Sequence, residues 1–134
     1  MKTFQNYAIE VETQLGFNET IQLATELLKE EGFGVLTEID VKATLKKKLD
    51  IDWYPYHILG ACNPPYAHRS LKAEPHVGVL LPCNVVIWDE GNRRVVAAME
   101  PAIIGSIAKN DELTTIAADI SDKIHSVLKK IETR

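Results

Sequence analysis

The chain has two cysteines, Cys62 and Cys83, and each is followed by an asparagine, Asn63 and Asn84. Cys62 closes the apolar run Ile58-Leu59-Gly60-Ala61 and stands before Asn63-Pro64-Pro65, the residue types of a helix N-cap and first helical turn. A thiol placed there meets unpaired N–H groups and the positive end of the helix dipole, which favour its thiolate form, and His68 or Arg69 would add positive charge. Cys62 is therefore the candidate catalytic residue; the plainer role is a small buried side chain at a strand end. Cys83, just after Pro82 at the start of another strand, would converge on the same sheet edge as a resolving partner. With His57, His68 or His76 the two thiols would instead offer a zinc or copper site, since thiolate and imidazole are those metals' ligands. Neither CxxC nor HxxxH occurs, so the spacing is not a recognised metal signature.

Two further types complete the candidate site. The carboxamide of Asn84, on a strand facing a pocket, would orient a polar ligand, and Arg69, with Lys72 nearby, would hold a carboxylate or phosphate. The candidate ligand-binding set is thus Cys62, Asn63, Arg69, Cys83 and Asn84. Trp53, Tyr54, Tyr56 and Trp88 are placed to line a cavity or a dimer interface, or to pack. His125 flanks an apolar stripe and reads as structural. Glu38 or Asp40 would approach the bend at Glu100-Pro101, though no pair of carboxylates is placed at a distance that supports acid/base chemistry. No GxSxG, HExxH or P-loop pattern is present, which weighs against hydrolase, metalloprotease and nucleotide-hydrolase readings.

These residues need elements to hold them. Tyr7, Ile9 and Val11 alternate with polar neighbours, as in a half-buried first strand. Asn18 offers the cap of a helix with the stripe Ile21, Ala24, Leu27 and Leu28, stopped at Gly32. Phe33, Val35 and Ile39 make a second strand ending at Asp40, which caps a short helix through Leu49 carrying the Lys46-Lys47-Lys48 run. A third strand spans residues 54–62, with Gly60 leaving room for a close approach, and a short helix runs from Pro64 to about Ala73. Residues 82–89 and 93–99 pair as a hairpin across Glu90-Gly91-Asn92. Residues 103–107 look flexible. Asn110 then caps the clearest helix, with Leu113, Ile116, Ala117, Ile120, Ile124, Val127, Leu128 and Ile131 on one face.

Strand, helix, four strands and helix, with two short inserted helices, imply an α+β fold. Its sheet would be curved, mainly antiparallel and five-stranded, with both long helices on one face. At 134 residues, 46% hydrophobic and 25% charged, the chain is long and apolar enough for one domain over residues 1–134. The formal net charge of -4 weighs against general binding to nucleic acid or anionic membranes. No run reaches the roughly 18 apolar residues of a membrane span. Two cysteines in a chain with an ample core imply reduced thiols, hence a cytoplasmic location.

The runs Gly32-Phe33-Gly34-Val35-Leu36-Thr37-Glu38-Ile39-Asp40, Leu59-Gly60-Ala61-Cys62-Asn63-Pro64-Pro65 and Leu81-Pro82-Cys83-Asn84-Val85-Val86 resemble those of a widespread bacterial and archaeal family, domain of unknown function 302. The resemblance covers about residues 4 to 132. It implies a small stand-alone domain of β-α-β(4)-α, TATA-binding-protein-like architecture, and it implies no activity, cofactor or catalytic residue. Three functional readings follow. The first is a small-ligand binding or sensing domain, as a homodimer, with a small molecule or metal ion between sheet and helices. The second is a thiol-dependent enzyme or redox protein using Cys62. The third is a structural or assembly domain. Whether the chain is an enzyme is left open by its residues.

Overall fold

Alternating apolar residues make strands here because each second side chain must leave water, and the pairing register records the outcome. In the computed structural model, which describes residues 1–134, six strands form one fully antiparallel sheet. They are β1 (Lys2–Phe4), β2 (Ala8–Thr13), β3 (Gly34–Asp40), β4 (Tyr56–Cys62), β5 (Cys83–Asp89) and β6 (Arg94–Met99), in the spatial order β1-β2-β6-β5-β4-β3. The sheet has six strands where alternation predicts five. The extra one, β1, pairs Lys2 with Glu10 and Phe4 with Ala8, and its three residues are all exposed. A strand that short and that exposed has no apolar period to display. The hairpin between β5 and β6 is in place, with Asp89 opposite Arg94 and Val85 opposite Ala98.

Five α-helices accompany the sheet: α1 (Phe17–Glu30), α2 (Val41–Leu49), α3 (Pro64–Ala73), α4 (Ala102–Ala108) and α5 (Asp111–Glu132), with a 3-10 helix over Pro75–Leu80. Helix α1 is capped two residues earlier than expected: Gly16 holds the N-cap position with no side-chain bond, and Asn18 is already helical. Asp40 does cap α2, its Oδ1 accepting from Ala43 N at 2.9 Å, and no residue of α2 is buried, so its lysines lie in solvent. Asn110 caps α5 through Glu112 N and Leu113 N. Residues 103–107, expected to be irregular, lie within α4. Gly105 lets that helix press on α5, since a Cβ there would stand 3.1 Å from Thr114 Cα.

The core shows how the layers sit. Ile9 and Val11 of β2, Val96 and Ala98 of β6, Val85 and Ile87 of β5, and Leu59 and Ala61 of β4 are buried in one cluster. The same cluster holds Ala24, Leu27 and Leu28 of α1 and Ile116, Ile120, Ile124 and Leu128 of α5. Both long helices therefore cover the same sheet face. Each Val, Leu or Ile among them contributes about 1.5–3 kcal/mol by leaving water. A satellite cluster of Val77, Ile104, Leu113 and Ala117 seats the 3-10 helix and α4 against α5. By alternation Trp88 and Tyr56 project to the opposite face, where their rings stack at 5.7 Å. No helix is long and apolar enough to cross a membrane.

Candidate functional site

Antiparallel pairing of β4 with β5 sets the end of one beside the start of the other, with Ala61 opposite Cys83. Where those ends meet β3, α3 and the 3-10 helix, a cavity of about 340 Å³ opens. Strands β4 and β5 contribute Ala61, Cys62 and Cys83 to it, and α3 contributes Ala67, Ser70 and Leu71. Phe33, Leu36 and Thr37 come from the β3 side, Gly78, Leu81 and Pro82 from the connection into β5, and Ile120 from α5. Leu36 owes its place to a β-bulge: the register with β4 shifts between Val35 and Thr37, and the extra residue turns its side chain to the cavity mouth. Gly60 makes the close approach its type allows, but the close neighbour is protein. A Cβ at Gly60 would stand 2.1 Å from Thr37 Oγ1 and 3.0 Å from Pro82 Cγ.

Asn63, also on the cavity, behaves unlike a cap. It holds the N-cap position of α3 yet makes no side-chain capping bond, because Pro64 and Pro65 have no N–H and leave little to cap. Its Nδ2 instead donates to the Glu31 carbonyl at 3.2 Å. Ser70 Oγ donates to Tyr66 O at 2.8 Å. Both cysteines are free, Cys62 half-buried and Cys83 buried. Burial first, and the neighbouring Cys62 second, push the Cys83 thiol up to about 11, so it stays protonated at neutral pH. No Lys, Arg, His, Asp or Glu lines the cavity.

The remaining sequence candidates lie elsewhere. Arg69 is exposed on α3, its guanidinium 5.6 Å from the Tyr66 ring centroid. Asn84 is exposed and pairs with Gly60; alternation turns it to the sheet face opposite that of Cys83. His68 and His76 are exposed. His57 lies away from the cavity, edge-on to Phe17, with Nδ1 3.1 Å from Glu38 and Nε2 3.6 Å from Asp40. Those two carboxylates therefore serve His57 and do not reach Glu100. No group of three or more His, Cys, Asp or Glu residues is arranged to hold a metal ion.

Glu100 has partners of its own that periodicity did not reveal. His125 Nε2 lies 2.7 Å from its Oε1, and Ser121 Oγ donates to its Oε2 at 2.8 Å. Burial works against ionisation of this carboxyl, but hydrogen bonds from His125, Ser121 and the Ala102 backbone outweigh it and hold Glu100 below the usual carboxylate range. The available signal was the four-residue spacing of Ser121 and His125, which puts both on one side of α5. The cluster ties the end of β6 to α5 and is separate from the cavity. Chemically, the cavity can surround an apolar group and offers it an amide, two hydroxyls and two thiols.

The comparisons agree with the fold. A family model described as "Domain of unknown function DUF302" matches residues 9–131. The structure is similar to the crystal structure of an uncharacterized conserved DUF302 protein from Bacillus stearothermophilus, at 34% sequence identity and a TM-score of 0.86. The match covers 92% of this chain and 97% of that one. No curated protein matches.

Proposed function

The chain belongs to the DUF302 family, and we propose that it works as a small-molecule binding domain whose site is the cavity beside Cys62, Asn63 and Cys83. The observation that carries this reading is the cavity itself. At about 340 Å³, mostly apolar and with a few polar groups, it falls within the range of about 300–1,000 Å³ usual for ligand sites. Size alone does not single it out, since other surface depressions reach about 370–580 Å³; its lining does, because nine of its 14 residues are hydrophobic while the others are walled mostly by polar side chains.

The thiol-dependent reading shares the same walls, because Cys62 and Cys83 both line the cavity. It is the weaker of the two. A resolving thiol acts as thiolate, and Cys83 is held protonated by its burial. The TATA-binding-protein-like shape that the family resemblance implies adds no nucleic-acid role, since no cation lines the cavity and the net charge is -4.

The test is native mass spectrometry of protein purified without chelator or reductant, compared with its denatured mass. Extra mass that leaves on denaturation supports a held ligand; extra mass that survives it supports covalent thiol chemistry. A bare chain that also fails to take up any small apolar molecule would sink the binding reading. The same spectrum counts subunits and so tests the homodimer expectation.

A further inference from the structure

We infer that the molecule this cavity takes is uncharged and mainly apolar, and that it carries one hydrogen-bond donor, a hydroxyl or N–H, directed to the Oδ1 atom of Asn63. This deepens the proposed function and rests on the cavity being the site.

The polar inventory of the cavity leads there. Asn63 is only 8% exposed, and its side chain has one donor group and one acceptor. The assignment of its two ends is forced: the partner at 3.2 Å is the Glu31 carbonyl, which can only accept, so the atom facing it is Nδ2. Oδ1 then has no hydrogen-bond donor from the protein. Arg94 Nε is the one buried side-chain nitrogen or oxygen left without a partner, so the unpartnered Oδ1 of Asn63 remains reachable, and a ligand donor that meets it replaces water there with a hydrogen bond sheltered by apolar walls. Ser70 has already committed its proton to the Tyr66 carbonyl, so it too presents an accepting oxygen.

Charge is excluded by what the walls lack. A buried carboxylate or ammonium needs a counter-charge, and no ionised side chain lines the cavity. Arg69, the cation that the sequence places nearest, lies over the Tyr66 ring and not on the cavity wall. The mouth asks for apolar matter instead. Leu36 and Leu71 line the cavity yet remain 69% and 43% exposed, and the apolar part of a ligand would cover them.

Three probes of one shape separate these terms: 4-methylphenol, 4-fluorotoluene and 4-methylbenzoate at neutral pH. Binding is followed by the backbone amide signals of Ala61, Cys62, Ala67, Leu71 and Gly78 in ¹⁵N-labelled protein. The phenol is expected to bind about tenfold tighter than the fluorotoluene, the worth of one hydrogen bond. It should bind at least about a hundredfold tighter than the benzoate, whose charge would go unpaired. In Asn63→Leu the advantage over fluorotoluene should vanish; if that variant does not fold, the ranking on the unaltered protein decides. Benzoate binding as well as the phenol, or fluorotoluene equalling it, would overturn the inference while leaving the cavity as a site. If none of the three moves these signals, the site itself is wrong and the inference falls with it.

Discussion

Asn63 donates its side-chain N–H to the carbonyl of Glu31, thirty-two positions earlier, across 3.2 Å. The bond joins the end of α1 to the start of α3 and fixes the carbonyl just before Gly32. That glycine has φ near +89°, a conformation other residues rarely adopt, and a Cβ there would lie 3.2 Å from Asn63 Nδ2. Replacing Asn63 by Ala should cost about 1–3 kcal/mol, because it leaves a carbonyl unpaired in a tight place. Urea unfolding measures this as a lower midpoint at constant slope. An unchanged midpoint would show that water replaces the bond at no cost.

Gly60 and Thr37 test the close crossing of β3 and β4. Gly60→Ala places a methyl 2.1 Å from Thr37 Oγ1 and should destabilise by about 1–3 kcal/mol. Adding Thr37→Ala removes that oxygen and leaves Thr37 Cβ at an ordinary 3.5 Å, so the pair should recover most of the loss. Simple additivity in a double-mutant cycle would mean that the strain lies elsewhere, with Pro82 as the next neighbour.

The acid limb of stability should depend on Glu100. Its folded-state carboxyl titrates below the unfolded one, because hydrogen bonds outweigh the opposing effect of burial. A depressed carboxyl stabilises the fold above the ordinary carboxylate range and loses that contribution as pH falls through its folded value. Glu100→Gln should therefore cost about 1–2 kcal/mol near pH 7, with the gap closing as pH falls below the ordinary carboxylate range. Thermal melts of both proteins across that range supply the comparison, and a gap independent of pH would assign the effect to packing.

The two thiols should differ sharply toward iodoacetamide. In folded protein at neutral pH Cys83, buried and raised to about 11, should resist alkylation, while half-buried Cys62 accepts one adduct. Unfolding should release the second site. Peptide mapping of the adducts decides, and 4-methylphenol should slow the Cys62 reaction if it occupies the cavity. Equal labelling of both cysteines in folded protein would contradict the placement of Cys83.

Much of this fold could be read from the residues, for reasons that also explain the failures. Helix α5 declares itself because eight buried apolar residues recur on one face over 22 positions and Asn110 supplies the cap. Asp40 and the β5–β6 hairpin are equally local signals. The failures concern contacts between distant segments or residues too few to make a pattern. Strand β1 has three exposed residues. Asn63 looks like a cap until the absent N–H groups of Pro64 and Pro65 are counted. Asn84 adjoins Cys83 in sequence, but in a strand adjacency means opposite faces, so one lines the cavity and the other does not. Glu100 meets Ser121 and His125 only because β6 ends against α5.

The cavity is assembled from four stretches of chain, at 33–37, 61–71, 78–83 and the lone Ile120, with the bend at Asn63 joining strand to helix within the second. The last arrives with the final helix. A chain ending before Ile120 carries the other thirteen lining residues but lacks most of α5, whose Ile120, Ile124 and Leu128 belong to the core that holds those walls in place. If the proposed ligand binds there, its occupancy would report a finished fold, and a proteolytic cut that freed α5 would be expected to release it.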